Sequence, residues 1–356
     1  MKCSIIGLGT ALPPETVTQE EAFRLSSDVI CQDERQVRKM RMLFRKAGVE
    51  TRQTVVPWQT GYEWSRQNVD SGRGPSTGDR MLTYATFAPP LATTACETAL
   101  ADAGVDTNSI THLVTVSCTG FAAPGIDFHM IRNLGLPPEV QRVNVAYMGC
   151  HGAINGLRTA RGLLAADPQA TVLLCAVELC SLHYRMNWDE ESIIGNALFA
   201  DGAAAVVLRH ADHATGKAML LDTHSCWMPE TGDQMSWDIG DYGFEMKLSG
   251  EIPDSIGRHL RPAMEQWLAK SGLSIEAIGD WIIHPGGPRI LDAVQQTLGL
   301  SDDDLALSRE TLRTCGNMSS PTVLFILQQA LQRQRQGPRL MLAFGPGLVA
   351  EGALLN

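Results

Sequence analysis

No C-x-x-C pair occurs among the nine cysteines of the chain, and no apolar run approaches the ~20 residues needed to cross a bilayer. The second absence argues against a transmembrane protein. The first, with an odd cysteine count and histidines that show no ligand-like spacing to the cysteines, argues against zinc and against a disulfide scaffold. Free thiols, most of them buried, are expected. An excess of Lys and Arg is also missing: the net charge is −10, which excludes a general nucleic-acid or membrane-surface binder. The N-terminal apolar run, Cys3 to Leu8, is too short for a signal peptide and reads as a strand entering a glycine turn. The expected location is the cytoplasm.

What is present suffices for a large core: 356 residues, 44% hydrophobic and 19% charged, about two domains by length. Short apolar strands alternate with helical patterns, which means α/β. The order of elements occurs twice. "THLVTVSCTG" (111–120) leads through a helix to "NLGL" and then "YMGC". "DWIIHPGGP" (280–288) leads through a helix to "TLGL" and then "RTCGN". Buried strands follow in both cases, "TVLLCAVEL" (171–179) and "RLMLAFGPGL" (339–348), and then "FADGAAAVVL" (199–208) and "LVAEGALL" (348–355). The seam falls near 209–220. Two similar halves, 1–210 and 211–356, are therefore expected to face each other with a site between them.

"RVNVAY" (142–147) has the composition of a strand, and after Gly152 apolar residues at Ile154, Leu157 and Leu164 keep a helical period. Cys150 thus opens a helix, where unpaired N–H groups and the dipole favour thiolate and can hold an oxyanion. Gly149 and Gly152 permit a sharp turn. A thiolate suits thioester exchange. His284 ends the apolar run Trp281-Ile282-Ile283 and precedes a rigid "PGGP", a place for a base or a hydrogen-bond donor. Asn317, in "TCGNMSSP", reads either as a helix cap or, beside His284, as a second neutral donor for an enolate oxygen.

The motifs "YMGCHGA", "WIIHPGG", "CGNMSSPTV", "ALFADGAAAVVL" and "AFGPGL" resemble those of the type III polyketide synthases, the chalcone synthase-like branch of the thiolase superfamily. They stand in the family's order over nearly the whole chain. The resemblance implies a thiolase-like αβαβα five-layered fold and a homodimer. It implies coenzyme A thioesters, malonyl-CoA and an acyl-CoA starter, as substrates, with no metal or redox cofactor and no acyl carrier protein required. Cys150 would carry the acyl chain, and His284 and Asn317 would promote decarboxylation and condensation. Phe199 matches the phenylalanine between tunnel and cavity; Phe244 or Met246 would fill a second such place.

Residues 35–52 hold Arg35, Arg38, Lys39, Arg41, Arg45, Lys46 and Arg52 against one acid, Glu50. The family binds coenzyme A phosphates near here, which points to Lys39 and Lys46, with Arg289 as a third. By position Cys118, Thr119, Ala123, Cys180, His183 and Ser319 would line the product cavity. Plant members typically carry threonine at the places of Cys180 and His183, and at that of Ala123 a methionine that crosses the dimer. The departures point away from a chalcone-type product. Residues 79–92 look like bacterial members, several of which extend fatty acyl starters to alkylpyrones or alkylresorcinols, and Ala123 would widen the floor for a long chain. The alternative is an initiating ketoacyl synthase, which shares Cys, His and Asn, uses a carrier protein, and usually has an extra glycine where Pro346 stands.

Overall fold

A computed structural model describes residues 3–57, 74–213 and 216–356. The first half of the chain runs β1 (Cys3–Ala11), β2 (Glu15–Thr18), α1 (Gln19–Ile30), α2 (Glu34–Lys46), β3 (Thr51–Thr54), α3 (Thr77–Ala103), β4 (His112–Ser117), α4 (Ile126–Leu134), β5 (Gln141–Ala146), α5 (Gly152–Ala166), β6 (Thr171–Leu179), α6 (Glu190–Leu198) and β7 (Asp201–His210). The second runs β8 (Ala218–Trp227), β9 (Met235–Gly240), β10 (Gly243–Leu248), α7 (Ile252–Ala269), β11 (Asp280–Ile283), α8 (Pro288–Leu298), α9 (Ala306–Cys315), α10 (Thr322–Ala330), β12 (Arg339–Gly345) and β13 (Val349–Leu355).

The duplication is visible in the pairing. The nine-stranded sheet has the order β11-β12-β13-β8-β1-β7-β6-β4-β5. From its centre outwards each half repeats one pattern. β1 and β7 are antiparallel, as are β7 and β6, whereas β6 and β4 are parallel. Likewise β8 and β13, and β13 and β12, are antiparallel, and β12 and β11 are parallel. The halves join where β1 meets β8, from Cys3 opposite Leu220 to Ile5 opposite Ala218. The echo ends at the fifth position: β5 pairs with β4, but the matching stretch of the second half is the helix α9.

Three apolar clusters fill the spaces between layers. The central one gathers α5, α10 and the inner faces of strands from both halves. A second lies between α3, α4 and the outer face of the first half. The third lies between α7, α8 and the outer face of the second. Two strand layers between three helix layers make the five-layered αβαβα arrangement. β6 is buried at all nine positions, as its unbroken apolar run requires when both faces are covered.

The expected glycine turn after Leu8 is not there. β1 continues to Ala11, and Gly7 and Gly9 serve close packing instead. A Cβ at Gly7 would lie 2.3 Å from the Ala99 carbonyl oxygen, and one at Gly9 2.4 Å from that of Ala95, so α3 rests directly on the strand. α3 itself starts with a capping box, Ser76 and Asp79 each bonding the other's backbone. Among the described residues no helix is long and apolar enough to cross a membrane.

Candidate active site

Cys150 stands where the first half turns from β5 into α5. Tyr147 (φ 59°) and Gly149 (φ 69°) carry the chain through the left-handed region, and a single 3₁₀ turn, Gly149–His151, delivers it to the helix. A Cβ at Gly149 would sit 2.4 Å from Pro346 Cδ, so the glycine admits both the turn and the close approach of the second half. Gly152 has ordinary helical angles; a Cβ there would lie 2.8 Å from Val116 Cγ1, and its missing side chain lets the helix pack on β4.

The second half supplies His284 and Asn317. The His284 N–H donates to the Leu342 carbonyl at 2.8 Å, which fixes the residue past the end of β11 beside β12. The Asn317 N–H donates to Leu198, and its carbonyl accepts from Ala200, both at 2.9 Å. Its side-chain Oδ1 accepts from the Ser319 N–H at 2.8 Å, so the amide NH₂ is the group that donates, and it reaches the Cys150 sulfur. Asn317 does not cap a helix: Pro321 holds that place on α10.

Two cavities meet at the thiol. The outer one, about 530 Å³, is walled by Lys46, Glu190, Ile194, Leu248, Arg289 and Pro253 and includes Cys150, His284 and Asn317. The inner one, about 50 Å³, is walled by Cys118, Thr119, Cys180, His183, Trp237, Phe244 and Ser319. Cys150, Phe199, Met235 and Met246 border both. Of the two residues considered for the second place at the junction, Met246 borders both cavities, as does Met235, whereas Phe244 borders the inner one and stacks on His183 at 4.2 Å between ring centroids.

Two further residues lie off the cavity linings of their own chain. Ala123 is exposed and borders neither cavity of its own chain, because its loop turns outward at the face between α3 and α4. Lys39 also lies off the cavity lining, paired with Glu190 at the rim. Lys46 lines the outer cavity, and so does Arg289, whose guanidinium donates to the Gly250 carbonyl at 3.2 Å.

The electrostatics differ from the expected stabilised thiolate. Burial pushes the Cys150 thiol up to about 11; hydrogen bonds from Ser319 and Asn317 oppose this, and the Glu178 carboxylate adds to it. Burial outweighs the helix terminus even though the residue is only half-buried and borders the outer cavity. Burial, with His151 nearby, holds His284 down to about 3, and among the described residues neither of its ring nitrogens has a hydrogen-bond partner. Thiol and imidazole are both neutral at rest.

Reasoning from sequence missed Glu178, His151, Met235 and Trp237. Glu178 was findable as the lone charged residue in the nine-residue run TVLLCAVEL. It accepts from Thr119 Oγ1 and Ser320 Oγ, each at 2.7 Å, and from the Cys118 N–H at 2.9 Å. Trp237 donates its indole N–H to the Cys118 carbonyl at 2.7 Å.

A thiol at the meeting point of two cavities suits thioester exchange, and the duplicated five-layered architecture is that of the thiolase-like condensing enzymes. Comparison with known proteins narrows the class. The model of the chalcone and stilbene synthases, N-terminal domain, matches residues 1–212, and that of the C-terminal domain matches 220–356. The chain is 35% identical to 1,3,6,8-tetrahydroxynaphthalene synthase of Streptomyces peucetius subsp. caesius, over 99% of this chain and 93% of that one. It is 32% identical to the alpha-pyrone synthesis polyketide synthase-like Pks18 of Mycobacterium tuberculosis, over 99% and 90%. The crystal structure of the C-terminal type III polyketide synthase domain of Steely1 from Dictyostelium superposes with a TM-score of 0.93 at 27% identity, covering 100% of this chain and 99% of that one. The chain belongs to the chalcone and stilbene synthase family, the type III polyketide synthases. It is a malonyl-CoA-dependent condensing acyltransferase, working on coenzyme A thioesters.

Proposed function

We propose that Cys150 carries the growing chain, that His284 and Asn317 stabilise the enolate, and that the starter is a short acyl-CoA. The observation that carries this reading is the convergence of Cys150, His284 and Asn317 on one 530 Å³ cavity. An acyl-CoA enters with its phosphates toward Lys46 and Arg289. Neutral His284, its ring nitrogens unpartnered, takes the Cys150 proton; the sulfur attacks the thioester carbonyl and CoA leaves with that proton. Malonyl-CoA then loses CO₂. The developing enolate oxygen receives hydrogen bonds from the His284 ring and the Asn317 amide, both uncharged and fixed in place. The enolate carbon attacks the cysteinyl thioester, and the lengthened chain, now on CoA, returns to Cys150 for the next cycle.

A short starter follows from the inner cavity. At about 50 Å³ it is far below the ~300–1,000 Å³ of clefts that hold drug-sized ligands. Trp237, His183 and Phe244 fill the space that a fatty chain would need, and exposed Ala123 cannot widen it from within the chain. This supports small-starter products, in the direction of the tetrahydroxynaphthalene synthase, over a long-chain alkylpyrone or alkylresorcinol. We also infer a homodimer, supported by an exposed aromatic face at the edge strand β5. Free cysteines throughout the described residues and soluble thioester substrates support a cytoplasmic setting.

The test is to incubate the purified protein with malonyl-CoA and a ladder of acyl-CoA lengths, with no carrier protein, and identify products by mass spectrometry. Ketides from malonyl-, acetyl- or similarly short starters are expected, and none from the Cys150→Ala variant. Ketides from that variant overturn the mechanism, turnover only with a carrier protein revives the ketoacyl synthase alternative, and preference for fatty acyl starters overturns the size argument.

A further inference from the structure

The residue that follows the nucleophile borders neither cavity. His151 is 4% exposed, and its Nδ1 lies 2.6 Å from Asn155 Oδ1, one helical turn on. An amide oxygen only accepts, so Nδ1 carries the proton. The Asn155 amide in turn donates to Glu351 Oε1 at 3.1 Å, and Glu351 is paired with Arg158. Glu351 belongs to β13, in the second half of the molecule; the other three residues lie on or next to α5, in the first. The chain of contacts thus crosses the line along which the halves meet.

The ring's other edge rests on the end of β12. A Cβ at Gly345 would lie 2.3 Å from His151 Cδ2 and 2.5 Å from Nε2. Gly345 has no left-handed backbone to account for the glycine; the imidazole accounts for it. The next residue, Pro346, packs on Gly149. The same strand holds His284 by the hydrogen bond to Leu342. One strand end therefore carries the catalytic imidazole on one side and receives the two neighbours of the nucleophile on the other.

We propose that His151 is a positioning residue, a peg between α5 and the end of β12 that sets the separation of Cys150 from His284 and is locked by Asn155, Glu351 and Arg158. The peg also acts by charge. His151 lies close enough to His284 to oppose its protonation, while Glu351 favours and Arg158 disfavours a proton on His151 itself, whose burial lowers its basicity. Any proton that His151 takes up in acid helps keep His284 neutral.

The experiment compares His151→Phe, His151→Gln and Asn155→Leu in steady-state malonyl-CoA decarboxylation and ketide formation. Phenylalanine keeps an aromatic ring there, somewhat larger than imidazole, and loses the hydrogen-bonded chain. Loss of alignment is expected to lower kcat about 10- to 100-fold, with KM for malonyl-CoA within about twofold because the tunnel is untouched. The acid limb of the kcat/KM profile moves to higher pH as His284 loses its opposing charge. Glutamine can donate to Asn155 Oδ1 and is expected to recover most of kcat, whereas Asn155→Leu, which keeps the His151 ring, is expected to lower kcat like His151→Phe and to leave the acid limb in place. Should His151→Phe fail to fold, Asn155→Leu and His151→Gln carry the test. Wild-type kcat in His151→Phe and Asn155→Leu, or an unmoved acid limb in His151→Phe, would overturn the proposal. So would a glutamine variant no better than phenylalanine, with only the melting temperature lowered.

Discussion

At Cys150 burial and hydrogen bonding pull in opposite directions, and burial wins. With the thiol pushed up to about 11, the thiolate fraction at neutral pH is small and climbs roughly tenfold per pH unit. Alkylation of Cys150 by iodoacetamide in the substrate-free enzyme is therefore expected to be slow at pH 7 and to rise steadily through pH 9. Ser319→Ala removes a hydrogen bond that favours the thiolate and slows the reaction at every pH below that point. Peptide mass spectrometry gives the rates; a plateau already reached below pH 7 would mean a resting thiolate–imidazolium pair and would sink this picture. Cys150, His284 and Asn317 were legible because each is a chemically distinctive side chain at a junction of strand and helix. The protonation state was not, since burial comes from side chains scattered along the chain, from Cys118 and Phe199 to Asn317 and Ser319. His151 was quoted within its motif yet carried no signal, because its partners Glu351 and Gly345 lie in the other half.

The hairpin of β9 and β10 decides the size of the site at the level of elements. Its register places Met246 opposite Trp237 and Phe244 opposite Ile239, so Trp237 and Phe244 press on His183, the indole edge-on at 5.3 Å and the phenyl stacked. Trp237→Ala is expected to cost about 1–3 kcal/mol in stability, since Trp237 is only half-buried, and to enlarge the inner cavity. Starters several carbons longer should then be accepted, read as a shift in the product ladder by mass spectrometry. An unchanged ladder would show that another wall is limiting. The hairpin was unreadable from period alone, because its alternation serves two cavities instead of one core. The buried strands were plain by contrast: the run chosen for β6 coincides with the strand at both ends. Gly149 belongs to the same scale. Alanine there meets both a positive φ and Pro346 at 2.4 Å; a loss of about 1–3 kcal/mol and a larger loss of kcat are expected, measured by denaturant melts and turnover. Wild-type turnover in Gly149→Ala would mean that the elbow does not need its present shape.

For the whole molecule, the sheet has one end that the described residues leave open. β5 is the edge strand, and exposed or half-buried at every position, which is a pairing and aggregation hazard unless another surface covers it. Around it stand Phe121 and Phe128, 49% and 46% exposed, with Tyr147 and Met148 on the loop before Cys150. Exposed aromatics grouped at an edge mark an interface, and Ala123 lies on the same face, near the mouth of the inner cavity, since Phe121 stacks on Phe244 at 6.2 Å. A second copy covering this face would bury the edge, bring its own Ala123 loop toward the partner's cavity, and stiffen the loop that holds the nucleophile. Sedimentation should therefore give twice the monomer mass at micromolar concentration. Phe128→Asp, which touches neither cavity, should shift the protein toward monomer and lower turnover together with the dimer fraction. A wild-type monomer with full turnover would remove the dimer from the mechanism, and a Phe128→Asp dimer of normal affinity would move the interface to another face.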